Sequence, residues 1–170
     1  MTSSASTETF VNSARGFRIL MITSIDHTGR FDGRPMTLLA VEDEGTMWFA
    51  CPSDSDLVTQ FGRPAPISIT GQTSSAYLHT NGIAKAIVDE DKAKKVWSET
   101  LRPWFPNGPT SDDLILIQVT PQAASVWDSG ITDMLSFAWE AVKAVVSGEK
   151  INNLDGRKYI DMTEPHAAAK

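Results

Sequence analysis

Residues 17–51 read FRILMITSI, DHTGRFD, GRPMTLLAV, EDEG and TMWFAC in succession, and this stretch decides the fold class. Its three apolar runs, at 17–25, 33–41 and 46–51, are separated by short polar segments that contain glycine, which is the pattern of strands joined by tight turns. Parallel strands would need a crossover of about a dozen residues or more between them. The stretch therefore predicts three consecutive antiparallel strands.

The rest of the chain continues this pattern and adds helices between the strands. Further strands are predicted at 66–71, at 76–88 with a kink at Asn81-Gly82, and at 114–120 and 123–128, which form a hairpin around Pro121. Helices are predicted at 8–14, at 54–61, after a cap at Asp89, and at 133–146. With about seven strands and no βαβ alternation, we expect a mainly β protein with flanking helices (α+β) and an antiparallel sheet closed into a small barrel.

Composition narrows the class of partner. The chain has 170 residues, 41% hydrophobic and 21% charged, which predicts one domain over residues 1–148 and a polar, flexible tail over 149–170. No apolar run is long enough for a membrane span, and the N-terminal residues lack a signal-peptide pattern. Cys51 is the only cysteine, so a reducing, cytoplasmic location is expected. The net charge of −6 argues against nucleic acid, and three scattered histidines predict no metal site.

Arg34 lies in the second apolar run beside Pro35, and the third run leads into the hydroxyl-rich segment 53–57. Anions bind where an arginine fork, hydroxyls and the amides of a helix start converge. Pro35 cannot donate to a β ladder, so we expect it at an edge, at a bulge, or where a ligand replaces the neighbouring strand. These features predict a cradle for a phosphate and a flat ring.

The same residues also have purely structural interpretations. Arg34 could pair with the acidic residues of the turn that follows its strand. Ser53 and Asp56 have the spacing of a capping box, in which both side chains bind backbone amides at a helix start. Cys51 is expected to be a small buried side chain, because no basic residue adjoins it in sequence to activate a thiol.

The order of these elements resembles the general stress protein 26 group, within the pyridoxamine 5′-phosphate oxidase-like flavin-binding split barrels. The matching residues, between positions 15 and 128, are Arg34-Pro35-Met36, Trp48-Phe49, Ser53-x-Ser55, Gly71, Trp97, Trp104-Phe105-Pro106-x-Gly108, 114–121 and Trp127-Asp128. The block from Trp104 to Gly108, with the Leu/Ile-rich strand after it, is the most specific part.

The resemblance implies an antiparallel six- to seven-stranded split β-barrel that forms a homodimer and binds FMN, with FAD as the alternative, at the dimer interface. It also implies flavin-dependent redox activity, although no catalytic residue is assigned. The implied cofactor-binding residues are Arg34, Pro35, Met36, Thr37, Ala50, Cys51, Ser53, Ser55, Asp56, Leu57 and Trp104. For Trp104 two roles stay open: packing in the core or at the interface, or walling the flavin of the partner subunit.

One position departs from the family pattern. Asp56 stands where many relatives carry a phosphate-binding lysine, and a carboxylate repels a phosphate. Arg34 is then the best remaining cation, with Arg15 and Arg63 as weaker candidates. Two functions stay open: a flavin-dependent redox protein, and a non-catalytic split-barrel dimer whose degenerate cofactor site makes it a stress-related binding module. A different planar cofactor, such as a deazaflavin or heme, is a third.

Overall fold

A computed structural model describes residues 2–128 and 157–162 of the chain. In these ranges the elements are α1 (Thr2–Ala14), β1 (Ile19–Ile25), β2 (Phe31–Thr37), β3 (Ala40–Val41), β4 (Met47–Pro52), α2 (Asp56–Gln60), β5 (Ala65–Gln72), β6 (Ala76–Ile87), α3 (Glu90–Val96), β7 (Leu114–Asp128) and β8 (Arg157–Asp161).

The described strands form one sheet in the order β2-β1-β5-β6-β7-β4-β3, with β8 alongside β7. Every strand pair is antiparallel. The sheet curls so that β2, at one end, contacts β4, near the other end, without a ladder between them. The predicted antiparallel split barrel with flanking helices is therefore confirmed, and the split is the gap between β2 and β4.

Strand β1 has a clear inner and outer face. Leu20 and Ile22 point inward and are fully buried, whereas Ile19, Met21 and Ile25 point outward and are exposed. The sequence pattern, apolar on both faces, predicts a strand that is buried on both sides. In the single chain only the inner face is buried, so the outer face presents apolar side chains to solvent.

Strand β7 corrects the predicted hairpin around Pro121. Residues 114–128 form one continuous strand, and Pro121 lies opposite Gly82, where the register between β6 and β7 shifts. A Cβ at position 82 would collide with the carbonyl of Thr120, so glycine permits this close approach. Because of this bulge, β7 continues through Pro121 as one strand. The predicted kink in β6 at Gly82 is confirmed.

For the helices, the predicted buried faces match the structure more closely than the predicted first and last residues do. Helix α1 begins earlier than predicted and buries Phe10 and Ala14. Helix α3 begins after Asp89, whose side chain caps it as predicted. It ends at Val96, because the next residue turns to an extended conformation, and Leu101 follows on a separate 3-10 turn.

The C-terminal segment contributes a strand. Residues 157–161 form β8 and pair with β7, and Ile160 is buried. The prediction of a flexible tail is wrong for these residues, because Ile160 supplies apolar surface to the core. The predicted helix at 133–146 and the remaining tail residues lie outside the described ranges.

Candidate functional site

A cavity of about 280 Å³ opens at the split in the barrel. One wall is the end of β2, from Arg34 to Thr37, and the opposite wall is the end of β4 with the start of α2. The segment that carries Leu101 and Phe105 closes one end. Among the described strands, β2 pairs with β1 alone, so Pro35 lies on an edge strand, which is one of the three places predicted for it.

Nine of the eleven predicted site residues line this single cavity. They are Arg34, Pro35, Met36, Thr37, Ala50, Cys51, Ser55, Leu57 and Trp104. Ser53 and Asp56 do not line it and are exposed. The lining residues that sequence reasoning missed are Pro52, Leu101 and Phe105. Phe105 belongs to the most specific block of the resemblance, which is the signal that could have identified it.

Arg34 is the one charged residue among the described residues that line the cavity. Its guanidinium donates through Nη2 to the Asp32 carboxylate, two residues earlier on the same strand. The side chains of Arg34 and Asp32 are 31% and 40% exposed, so the pair is half-buried. The alternative interpretation paired Arg34 with the acidic turn after its strand. In the structure its partner is Asp32, because an i,i+2 partner on the same face of a strand lies closer.

The start of α2 corrects the predicted capping box of Ser53 and Asp56. The helix begins two residues later than predicted, and its N-cap is Ser55. The Ser55 hydroxyl oxygen accepts a hydrogen bond from the Leu57 backbone N–H, with an N–O distance of 3.3 Å. Asp56 is the first helical residue and points to solvent. Ser55 therefore supplies the hydroxyl at the cavity wall.

Cys51 is 4% exposed and its thiol lies among polar neighbours. Burial raises the pKa of this thiol to about 11, and the Ser55 hydroxyl and the Arg34 guanidinium lower that pKa by less. Asp54 also acts on the thiol, in the raising direction. The thiol keeps its proton near neutral pH, as predicted for a small buried side chain.

Trp104 lies at the mouth of its own chain's cavity and is 61% exposed. The buried side chains of Leu101 and Phe105 anchor the segment on both sides of it. Arg102 holds the same segment through Glu99, at 2.6 and 2.9 Å. Lining this cavity thus requires no reach across to a second subunit.

The other predicted cations lie elsewhere. Arg15 donates to the Val41 carbonyl and pairs with Asp43 at 2.7 Å. Arg63 is exposed in the connection between α2 and β5. Neither residue lines the cavity. Among the described residues, no group of three or more His, Cys, Asp or Glu side chains could hold a metal ion.

A second, shallower cavity of about 480 Å³ lies on the outside of the sheet. Around it the sheet exposes an outer apolar face, formed by Ile19, Met21, Ile25, Phe31 and Tyr77, with exposed fractions between 42% and 82%. Pro35 lines both cavities, so the outer apolar face is continuous with the split.

Comparison with known proteins identifies similar sequences and folds. A family model for pyridoxamine 5′-phosphate oxidase-like proteins matches residues 5–152. A structure assigned as general stress protein 26 from Jannaschia sp. CCS1 superposes with a TM-score of 0.69 at 21% identity, covering 94% of this chain and 99% of that one. No curated protein gives a significant match.

Two further solved structures share the fold. The general stress FMN/FAD binding protein of Xanthomonas citri has a TM-score of 0.63 at 21% identity, covering 74% of this chain and 90% of its own. General stress protein 26 of Bacillus anthracis has a TM-score of 0.61 at 19% identity, covering 74% and 94%. None of the helices in the described ranges is both long and apolar enough to cross a bilayer.

Proposed function

The chain belongs to the pyridoxamine 5′-phosphate oxidase-like family, and from this premise we propose that it is a flavin-binding stress-type protein that holds FMN in the cavity at the split. The observation that carries the proposal is the meeting of nine predicted site residues around one cavity. The FMN/FAD binding protein of Xanthomonas citri, which has the same fold, supports the choice of ligand.

The donor set of the cavity fits a flavin phosphate. Met36, Leu101 and Phe105 offer apolar surface of the kind that binds a flat ring. Arg34 and the Ser55 hydroxyl offer hydrogen-bond donors to a phosphate. Trp104 at the mouth offers an exposed indole against which a ring can stack.

A bound flavin supplies the redox chemistry, because its ring exchanges electrons or hydride with a partner molecule. The residues of this chain bind the ring, orient it and limit the access of water. Around the cavity only Arg34 and Cys51, of the described lining residues, can ionise, and Cys51 keeps its proton. The described lining residues therefore include no general base, and the activity that we propose is redox exchange on the ring.

The proposal includes a homodimer. Soluble monomers rarely leave a large contiguous apolar patch uncovered, and the outer apolar face is such a patch. The cavity in one chain, at about 280 Å³, is at the lower limit of known ligand sites. Because Pro35 joins this cavity to the outer apolar face, a second copy that covers the face would add a wall to the site.

A second candidate is a non-catalytic barrel dimer with a degenerate cofactor site. Two observations favour it. No lysine is found among the described lining residues, and the Arg34 guanidinium already forms an ion pair with Asp32. Such a protein would act as a binding module whose cavity takes a flavin weakly or leaves it unused.

Titration of the purified chain with FMN separates the two functions. For the redox protein we expect quenching of flavin fluorescence with a Kd well below ~100 μM, whereas weaker binding corresponds to less than ~5.5 kcal/mol and fits the degenerate site. Arg34→Ala should weaken FMN binding at least about tenfold, since it leaves the Asp32 carboxylate without its partner and this carboxylate then repels the phosphate. Arg63→Ala is the matched control, because Arg63 lies away from the cavity. Equal losses in the two variants would contradict the assignment of Arg34.

A further inference from the structure

The charge at the cavity is nearly cancelled within the chain itself. Arg34 is the one charged lining residue in the described ranges, and its guanidinium is paired with Asp32. Cations held by a carboxylate offer less to an incoming anion, because the anion must compete with a partner already in place.

The pair is fixed by the strand. Arg34 lies opposite Ile22 and Asp32 lies opposite Ser24, and both β1 residues are buried. Both members of the pair therefore point to the inner face of β2, where side chains two positions apart are neighbours. Their partial burial keeps the attraction stronger than that of a fully solvated pair.

The surrounding charges reinforce this arrangement. Asp54 is near enough to act on the Cys51 thiol in the cavity wall. Asp56 adjoins Ser55 and Leu57, which both line the cavity. A phosphate monoester carries about 1.5 to 2 negative charges at neutral pH. In the cavity it meets the one cation Arg34, while Asp54 and Asp56 are exposed outside the lining. Binding to Arg34 leaves Asp32 without its partner.

Building on the proposed function, we propose that Asp32 is a specificity-determining residue that competes with the phosphate of the ligand for Arg34. The consequence is a site that recognises the flavin ring and gains little from the phosphate. The cavity therefore takes riboflavin, which has the same ring and no phosphate, about as tightly as FMN.

The test compares two flavins and three forms of the full-length protein. Dissociation constants for riboflavin and FMN are measured by fluorescence quenching at low and high salt. In the wild type we expect the two constants to agree within about threefold, with little dependence on salt. Asp32→Asn should tighten FMN binding about tenfold and leave riboflavin binding unchanged, because it frees the guanidinium. It should also make FMN binding salt-dependent.

Asp43→Asn is the matched control. It makes the same chemical change in another arginine–carboxylate pair, that of Arg15, away from the cavity. Both constants should stay at their wild-type values.

Three outcomes overturn the inference. FMN binding at least about tenfold tighter than riboflavin binding in the wild type would show that the phosphate dominates recognition. Weaker FMN binding in Asp32→Asn would show that Asp32 orients Arg34 for the phosphate; in both cases the proposed function stands. If neither flavin binds at ~100 μM, the inference and the proposed function fail together.

Discussion

Among single residues, Cys51 shows most directly how the packing of the barrel controls chemistry. Cys51 lines the cavity at the split and yet is almost completely buried. Burial disfavours the thiolate, which is the nucleophilic form, and raises the thiol pKa to about 11. The one cysteine that lines the cavity is therefore a poor nucleophile near neutral pH.

Thiol modification tests this state. At pH 8 we expect Cys51 to react with a disulfide reagent far more slowly in the native protein than in urea, and more slowly still with FMN bound, because the ligand would cover the cavity wall. Fast reaction of the native protein, equal to that in urea, would contradict the burial of the thiol. Cys51→Ser is the blank.

The raised pKa of Cys51 also determines the direction in which the free energy of unfolding changes with pH. The ordinary pKa of the thiol is 9.0, so the unfolded chain loses this proton at lower pH than the folded chain does. The contribution of Cys51 to the free energy of unfolding is complete below about pH 9 and is lost as the pH rises toward 11. Comparison with Cys51→Ala over this range isolates the contribution.

The residues that line the cavity were predictable from the sequence to different degrees, for physical reasons. Arg34 and Pro35 could be predicted because an arginine and a proline inside a strand are unusual there. Ser53 and Ser55 both have the chemistry of a helix cap, and in the structure Ser55 is the cap and lines the cavity, whereas Ser53 does not line it. Leu101 could not be found, since apolar residues carry no local sign of which surface they will cover.

Among the elements, helix α3 shows how a short helix is fixed to the barrel. Asp89 accepts the Lys92 amide at 2.8 Å and caps the first turn. The Lys92 ammonium pairs with Glu42 and lies 4.4 Å from the centre of the Trp48 ring. This ammonium lowers the pKa of the Glu42 carboxyl. The cap and the lysine together attach the helix to the β3–β4 edge of the sheet.

Removing the cap tests this attachment. Asp89→Ala should lower the free energy of unfolding by about 1 kcal/mol, because the Lys92 amide in the first turn of the helix loses its hydrogen-bond acceptor. The midpoint of urea denaturation measures the change. Asp91→Ala is the control: Asp91 is an acidic residue of the same turn and does not cap, so a smaller effect is expected. Equal effects would indicate that charge, and not the cap, stabilises the turn.

Strand β7 shows why whole elements were predicted more reliably than their connections. The apolar runs at 114–120 and 123–128 both lie in strands, as predicted. Whether Pro121 ends a strand or lies in a bulge depends on its partner, Gly82, which is remote in sequence. Local sequence carries the propensity of a segment, whereas its register is decided by the strand across from it.

For the whole molecule, the proposed homodimer predicts that a second copy of the chain covers the outer apolar face. We expect sedimentation at low micromolar concentration to give a species of twice the 18.5 kDa chain mass. Met21→Lys should shift it to the monomer, because it puts a charge in the middle of the face. Val88→Lys is the matched control, since Val88 is an exposed apolar residue in the connection after β6, away from the face. If the wild-type protein sediments as a monomer, this would contradict the proposal that a second copy adds a wall to the cavity.

The order of the strands also has a consequence for how the chain folds during its synthesis. Strand β4 pairs along its whole length with residues 114–119 of β7, and its other neighbour, β3, has only two residues. Until residue 119 leaves the ribosome, strand β4, which carries Cys51, has almost no hydrogen-bonded partner strand. Nascent chains therefore expose an unpaired, apolar strand while residues 53–119 are added, which makes this segment a natural target for chaperones.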